Sequence, residues 1–413
     1  MTTRLKPRWR CPLPRIAVAV APLRNLTGDP DRQYLLDAFT DDLVTDLLHG
    51  GSGLSFVRVV TERGRPSSLP QAVEPEIDCV ITGSVQHGHT GMLGLDLQIT
   101  DACLGHGWAC RYEFSPEDLA SIQIEITRRI SRDLHILLLQ SACRRTLIDV
   151  GPDVDECLAR AATALEGELR SEPSAEAQQW FLAALARDPR NTEALAGLAK
   201  TCQFLVSQPW WGETRAVAFA FDLGREALEI ASEFAPRDAG ARCVRGMLYS
   251  AAGQLEEASA AFAQALTMDP ELASAHAFAG YNSAFLGRAE DTLPAVQRAM
   301  RHNQSDRGHS IFFFFAGFAQ LLLGRTEAAT GLLQKSLERN PSYGAAGLFL
   351  PPALHLLGRT GEAARAAAGF REQYPDSRAA DFKQLWLARS INPVYRAQID
   401  PIFDSIRSLG IGG

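Results

Sequence analysis

One interval governs the last 220 or so residues of this chain. Pro236, Pro270, Pro341 and Pro375 each close an apolar helical stretch, and they follow one another at 34, 71 and 34 residues. The middle interval is two units of 34 plus three inserted residues. Gly253, Gly287, Gly324 and Gly358 repeat the pattern at 34, 37 and 34. Two residue types therefore keep one register. A fixed period of this length marks a stacked repeat: each unit is too small to bury its own apolar face, and its neighbours complete the core.

The unit reads most clearly over Ala239–Pro270, AGARCVRGMLYSAAGQLEEASAAFAQALTMDP. Gly246 and Ala258 are small, which lets two antiparallel helices approach closely. Tyr249 and Phe262 fill the space beside them. Gly253 permits a tight turn between the helices. Ala265 admits the next helix, and Pro270 ends the second. The units that follow read ELASAHAFAGYNSAFLGRAEDTLPAVQRAM, SIFFFFAGFAQLLLGRTEAATGLLQKSLERNP and YGAAGLFLPPALHLLGRTGEAARAAAGFREQYP. The spacing, with small residues at the eighth, twentieth and twenty-seventh places and Pro at the thirty-second, resembles the tetratricopeptide repeat. Upstream, AEAQQWFLAALARDP resembles the second helix of an earlier unit, and Asp155–Leu169 the first helix of the opening one. Pro189 to Pro236 is 47 residues, so 13 extra residues fall at VSQPWWGETRAV, between two helices.

About six units are expected over 146–376, with capping helices in 377–413 near Ala379–Ser390 and Pro393–Leu409. Some places depart from the pattern. Thr292 stands where Ala is expected and Gln304 where Pro is expected. Pro351 and Pro352 fall inside a first helix, where each costs about 3 kcal/mol, so that helix is expected to kink or restart.

Residues 15–145 follow other rules. Arg15–Pro22 alternates apolar residues and reads as a strand. Asp31–His49 places Tyr34, Leu35, Phe39, Leu43, Leu47 and Leu48 at helical spacing. Leu54–Val60, Ile77–Val85, Gly91–Thr100 and His106–Phe114 read as further strands, with a hairpin turn at Thr90–Gly91. Ser115–Pro116–Glu117 opens a helix to about Leu139. The motifs IAVAVAPLRNLTGDPDRQYLLDAFTDDLVTDL, VITGSVQ, LGLDLQITDACLGHGWACRYEF and DLASIQIEITRRI, in that order, resemble the TolB amino-terminal-like domain. In this chain the helix usual between the second and third strands is shortened to PSSLPQAVEPE. The resemblance implies a small α/β domain ahead of the repeats, in bacterial signalling proteins where a class III adenylate cyclase or a winged-helix DNA-binding domain commonly comes first. The expected fold is therefore mainly α: a right-handed superhelical tetratricopeptide-type array preceded by a small α/β domain. Residues 1–14, with Arg4, Lys6, Arg8, Trp9 and Arg10, read as a basic tail.

Charge excludes one class of partner. The net charge is −7, with 16 basic against 18 acidic residues up to position 150 and 25 against 30 beyond it. Neither part carries the basic footprint of nucleic-acid binding. The eight cysteines form no Cys-x-x-Cys and read as small buried residues in a reducing compartment. Ile16–Leu23 is too short for a secretion signal or a span, so no membrane and a cytoplasmic location are expected.

Three motifs invite chemistry and are read more plainly. Asp37 and Asp41, with Asp42 beside them, share a helix face that could hold a metal; without an oxygen-rich loop they read as a solvated face. His87, His89 and His106 near hairpin ends lack a companion at ligand spacing and read as turn residues. Leu23–Pro30, LRNLTGDP, lacks the residues of a phosphate-binding loop and reads as a turn. No catalytic residue, metal or cofactor is assigned, and an enzyme is not expected.

The resemblance to tetratricopeptide repeats implies a concave groove lined by the first helix of each unit. Its positions map to Cys243, Met247, Tyr281, Phe285, Phe314, Phe318, Leu321 and His355. That groove is apolar and lacks the Lys and Arg clamp for a C-terminal carboxylate. A protein partner offering an apolar helix or extended segment is the expected ligand. The alternative packing partners for the same residues are the array itself, the N-terminal domain or the C-terminal helices. The function expected is that of an interaction scaffold in signalling, or the regulatory half of a cyclase or transcription regulator acting in trans.

Overall fold

A computed structural model describes residues 16–49, 57–60, 77–88, 91–101, 107–115, 130, 133–134, 136–145, 152–166, 171–207, 214–303, 309–374 and 379–411. The chain is mainly helical, with a small sheet on its N-terminal side. It divides into two compact units, one built on residues 11–158 and 181–194, the other on 159–180 and 195–413.

The first unit holds the sheet. Strand β1 (Ile16–Val20) pairs in parallel with β3 (Val57–Val60) and with β4 (Cys79–His87). The short β2 (Arg24–Asn25) pairs in parallel with the far half of β4. Strands β5 (Leu93–Asp101) and β6 (Gly107–Phe114) continue antiparallel, giving the order β3-β1-β4-β5-β6. Helix α1 (Gln33–His49) buries Leu36, Phe39, Leu43 and Leu47, the face expected from their spacing. Strand β5 shows the period of two directly. Leu93, Leu95, Leu97, Ile99 and Asp101 are buried, while Gln98 and Thr100 are exposed.

The last inward position of β5 is thus an acid, and it must be paired. Arg145, at the end of the helical residues 136–145, places Nη2 2.8 Å from Asp101 Oδ1 and Nη1 2.8 Å from Asp78 Oδ1. Asp78 Oδ2 accepts the Ala17 amide at 2.8 Å. The Ser141 hydroxyl donates to Asp101 Oδ2, and the Cys79 thiol lies 3.6 Å from the same oxygen. Burial pushes the Cys79 thiol up to about 11, so it remains protonated near neutral pH. One guanidinium therefore ties a helix to β1, β4 and β5.

The loop after β1 satisfies itself. Asn25 accepts the Thr27 amide, Thr27 Oγ1 accepts the Asp29 amide, and Asp29 caps the next turn by accepting from Asp31. An acidic cap occupies the place an anion would take. Asp37 accepts a bond from Gln33 on the outer face of α1. His87 lies against the Thr27 carbonyl at 3.1 Å, whereas His89 and His106 fall outside the described residues. The same holds for the tail, for residues 61–76 and for most of the helix read from Ser115.

Helices follow in pairs: α2 (Val154–Glu166) and α3 (Ser171–Arg187), α4 (Thr192–Ser207) and α5 (Thr214–Phe234), α6 (Ala239–Ala251) and α7 (Leu255–Met268). Then come α8 (Ala273–Phe285) and α9 (Thr292–His302), α10 (His309–Leu322) and α11 (Thr326–Arg339), α12 (Gly344–Leu356) and α13 (Thr360–Gln373). Helices α14 (Ala379–Ala388) and α15 (Pro393–Ser408) close the chain. The glycines explain the close pairing. A Cβ on Gly246 would sit 2.6 Å from Phe262, one on Gly280 2.6 Å from Ala295, and one on Gly317 3.0 Å from Leu333. The turn glycines 253, 287, 324 and 358 all have positive φ, between 70° and 81°.

Of the kink or restart expected at Pro351–Pro352, the restart is corrected. Helix α12 does not restart at Pro351 and Pro352 but runs through both. Both prolines are buried, as are eight other residues of that helix, so packing on every side outweighs the two lost backbone hydrogen bonds.

The Asp78–Arg145–Asp101 cluster gives a test. Arg145→Met removes the guanidinium shared by Asp78 and Asp101 and is expected to destabilise the sheet-bearing unit by about 3–5 kcal/mol in urea unfolding. Adding Asp101→Asn should recover part of that loss. A single substitution with an unchanged midpoint would refute the role given to the cluster.

Candidate functional site

The first helices α6, α8, α10 and α12 carry the residues mapped to the groove, and the structure sorts them into three groups. Tyr281, Phe285, Phe314, Phe318 and Leu321 fall in one buried cluster. Cys243 and Met247 lie in a second, smaller one around Phe262. His355 is half-buried, with Nε2 3.5 Å from Ser408 Oγ.

Helical geometry divides the aromatic run of α10. Phe314 and Phe318 are one turn apart and point the same way. Phe315 turns toward α8 and stacks on Tyr281 at 4.0 Å between centroids. Phe313 faces away, half-buried, beneath the Arg339 guanidinium at 4.6 Å.

The groove residues are not open to solvent. Phe285 and Phe318 are 0% exposed and Tyr281 only 7%. What covers them is the end of the same chain. The Trp386 ring lies 4.8 Å from Phe349, 5.0 Å from Phe318, 6.0 Å from Phe285 and 6.4 Å from Phe314. Those four rings come from the first helices of three successive pairs. Arg389 stacks on Trp386 at 4.8 Å and reaches Tyr281 Oη with Nη1 at 3.4 Å. Its Nη2 donates to the Ser207 carbonyl at 2.7 Å, near the end of α4. Burial pushes the Tyr281 phenol up to about 12 although Arg389 opposes the shift, so the ring faces Arg389 as a neutral acceptor.

Next, the chain satisfies exposed carbonyls at the end of α8. Ser390 Oγ donates to the Phe285 carbonyl at 2.6 Å, and Asn392 Nδ2 to the Leu286 carbonyl at 3.0 Å. Asn392 also caps α15 by accepting from Val394 and Tyr395, with Pro393 as the first helical residue. Along α15, Tyr395, Ile399, Ile402, Phe403 and Ile406 are buried at spacings of three and four. Tyr395 packs on Phe285 at 5.2 Å, and Phe403 on Phe349 at 6.5 Å.

Of the packing partners expected for these residues, the array itself and the C-terminal helices are the ones found against them. The structure also shows what reading the sequence missed: Trp386, Arg389, Ser390 and Asn392. The period carries no information about them, because they lie beyond the last repeat. The available signal is local: a tryptophan in a terminal helix, with Arg three residues on and an Asn-Pro helix start after it.

Among the described residues, no group of three or more His, Cys, Asp or Glu side chains is placed to hold a metal. No helix among them is long and apolar enough to cross a membrane. The six described cysteines are free thiols.

The buried placement predicts unequal costs. Phe318→Ala, which empties the centre of the cluster, is expected to cost about 3–5 kcal/mol. His355→Ala, at the half-buried rim, should stay within about 0.5 kcal/mol of the parent. Thermal unfolding of both variants checks this, and equal losses would refute the assignment of centre and rim.

Comparison with known proteins supplies a family for one unit. Residues 239–272 match the tetratricopeptide repeat model. The chain is 28% identical over 221 residues to a protein named putative adenylate cyclase 3 of Rhizobium meliloti (strain 1021); the match takes in 52% of this chain and spans 37% of that relative's length. Among solved structures, it is similar to a thermophilic TPR protein of Thermus thermophilus, at 19% identity and a TM-score of 0.38, covering 51% of this chain and 98% of the other. It is also similar to YrrB, titled a TPR protein with an unusual peptide-binding site, at 24% identity and a TM-score of 0.31, covering 43% and 92%.

Proposed function

We propose that this chain is a non-catalytic interaction scaffold of bacterial signal transduction, working in the cytoplasm, whose concave groove takes an apolar helical segment of a protein partner. One observation carries the reading: Tyr281, Phe285, Phe314 and Phe318 already hold side chains of another segment, Trp386 at the end of α14, Arg389 in the turn after it and Tyr395 in α15. The contact has the chemistry of recognition, with an aromatic anchor in a ring of aromatics and an arginine clamp beside it. The tetratricopeptide match at residues 239–272 agrees with that role. The order of motifs that resembles a TolB amino-terminal-like domain supports the signalling context.

A photo-crosslinking amino acid at His355, on the groove rim, tests this in native cells. It is expected to trap a partner that the same probe at Glu257, exposed on the second helix of its pair, does not trap. Equal yields from the two sites, or none from either, would count against the groove.

The likeness to a protein named as a cyclase favours a second reading, in which this chain regulates an adenylate cyclase or transcription-regulator domain in trans. Purified class III cyclase domain from the same cell should then change its rate of cyclic AMP formation by about fivefold or more when the chain is added. A rate that stays constant up to saturating chain would sink this reading.

A further inference from the structure

The cover over the groove joins the packing of α15 on α12 to side-chain contacts with helices further away. Trp386, Arg389, Ser390 and Asn392 reach helices α4, α8, α10 and α12, which lie far from them in sequence. Within the repeats, helices pack on their sequence neighbours and first helices on the next first helix, as Tyr281 on Phe315 shows. The segment also follows the turn surface of the array. A Cβ on Gly253 would lie 3.1 Å from the Arg389 carbonyl, and one on Gly287 2.5 Å from Asn392 Oδ1.

The fit is incomplete. Trp386 Nε1, Arg389 Nε and Gln398 Oε1 are buried with no hydrogen-bond partner. A buried donor without an acceptor loses its hydration for nothing in return. Two apolar side chains of the same segment face solvent, Ile391 at 87% exposure and Val394 at 49%. An anchor with orphaned polar atoms and exposed apolar residues is poorer than the groove could take from a better-matched helix.

We propose that residues 386–406 are a built-in competitor that holds the groove closed, and that the partner displacing them offers a helix that ends on a large aromatic residue, with arginine in the turn three positions later. This rests on the interaction-scaffold reading above and adds its regulation. The chemistry of the partner is taken from the occupant: the ring set by Phe285, Phe314, Phe318 and Phe349 requires an aromatic, and Tyr281 Oη with the Ser207 carbonyl requires a cation of guanidinium reach. Tethering gives the built-in segment an effective concentration of order millimolar, so the closed form prevails until a matched partner arrives or the segment is weakened.

A peptide of residues 379–411, made with a fluorescent label, tests this without any partner, so the result is independent of the crosslinking outcome. Its anisotropy is followed as full chain is added. The full chain carrying Arg389→Ala is expected to bind the peptide at least about tenfold more tightly than the parent, because its own competitor is weakened. A peptide carrying Trp386→Ala should bind neither. Hydrogen exchange of the parent chain gives a second reading that needs no variant. Amides of 393–408 should exchange at least about tenfold faster than those of 309–322 by an opening that leaves the repeats folded. Equal peptide affinity for parent and variant, or exchange of 393–408 only together with the repeat helices, would show the segment to be a fixed part of the core and overturn the proposal.

Discussion

Two helices come only as near as the smallest residue between them allows, and in this chain that residue is glycine. Gly246 lies under the Phe262 ring, Gly280 under Ala295 and Gly317 under Leu333, at positions 34 and 37 residues apart. Any larger side chain would push each pair apart, and the aromatic rows on α8 and α10 would no longer meet. The stacking of Tyr281 on Phe315, the ring of aromatics around Trp386 and the alignment of first helices all follow from those three close approaches. The last pair achieves the same approach differently, with Pro351 at the corresponding position and Gly347 placed so that a Cβ on it would lie 3.3 Å from Phe370.

The repeats were legible because they obey a local rule many times over. Gly, Ala and Pro recur at fixed offsets, and each offset has a steric meaning within about 34 residues. The helix pairs from Ala239 onward lie where the spacing puts them. The sheet was legible for a similar reason: the alternation in Leu93–Asp101 and the helical spacing in α1 each reveal one buried face. Strand ends shifted by one or two residues, since periodicity marks a face more sharply than a boundary.

What stayed hidden was set by contacts between distant residues. Nothing near Arg145 in sequence announces Asp78 or Asp101, 67 and 44 residues away. The run Phe312–Phe315 could not be divided between core and groove without knowing what lay opposite. The groove residues themselves were identified by position, and five of the eight do come together. The C-terminal helices stood among the packing partners open to these residues, but no period singles out Trp386 and Arg389, which lie past the last repeat. The two prolines of α12 misled for a related reason. Their cost is local and fixed, whereas the burial that outweighs it comes from neighbouring pairs.

The four turn glycines look interchangeable in sequence, and in conformation they are. Their surroundings divide them. Gly324 and Gly358 face open space, so asparagine, which tolerates the left-handed region, could replace either at modest cost. Gly253 and Gly287 lie under Arg389 and Asn392, where any Cβ would meet the C-terminal segment first. In a lineage that kept the closed groove, variation at these turns should therefore be lopsided: glycine or asparagine at Gly324 and Gly358, glycine alone at the two beneath the segment. A lineage that lost the segment would admit asparagine at all four.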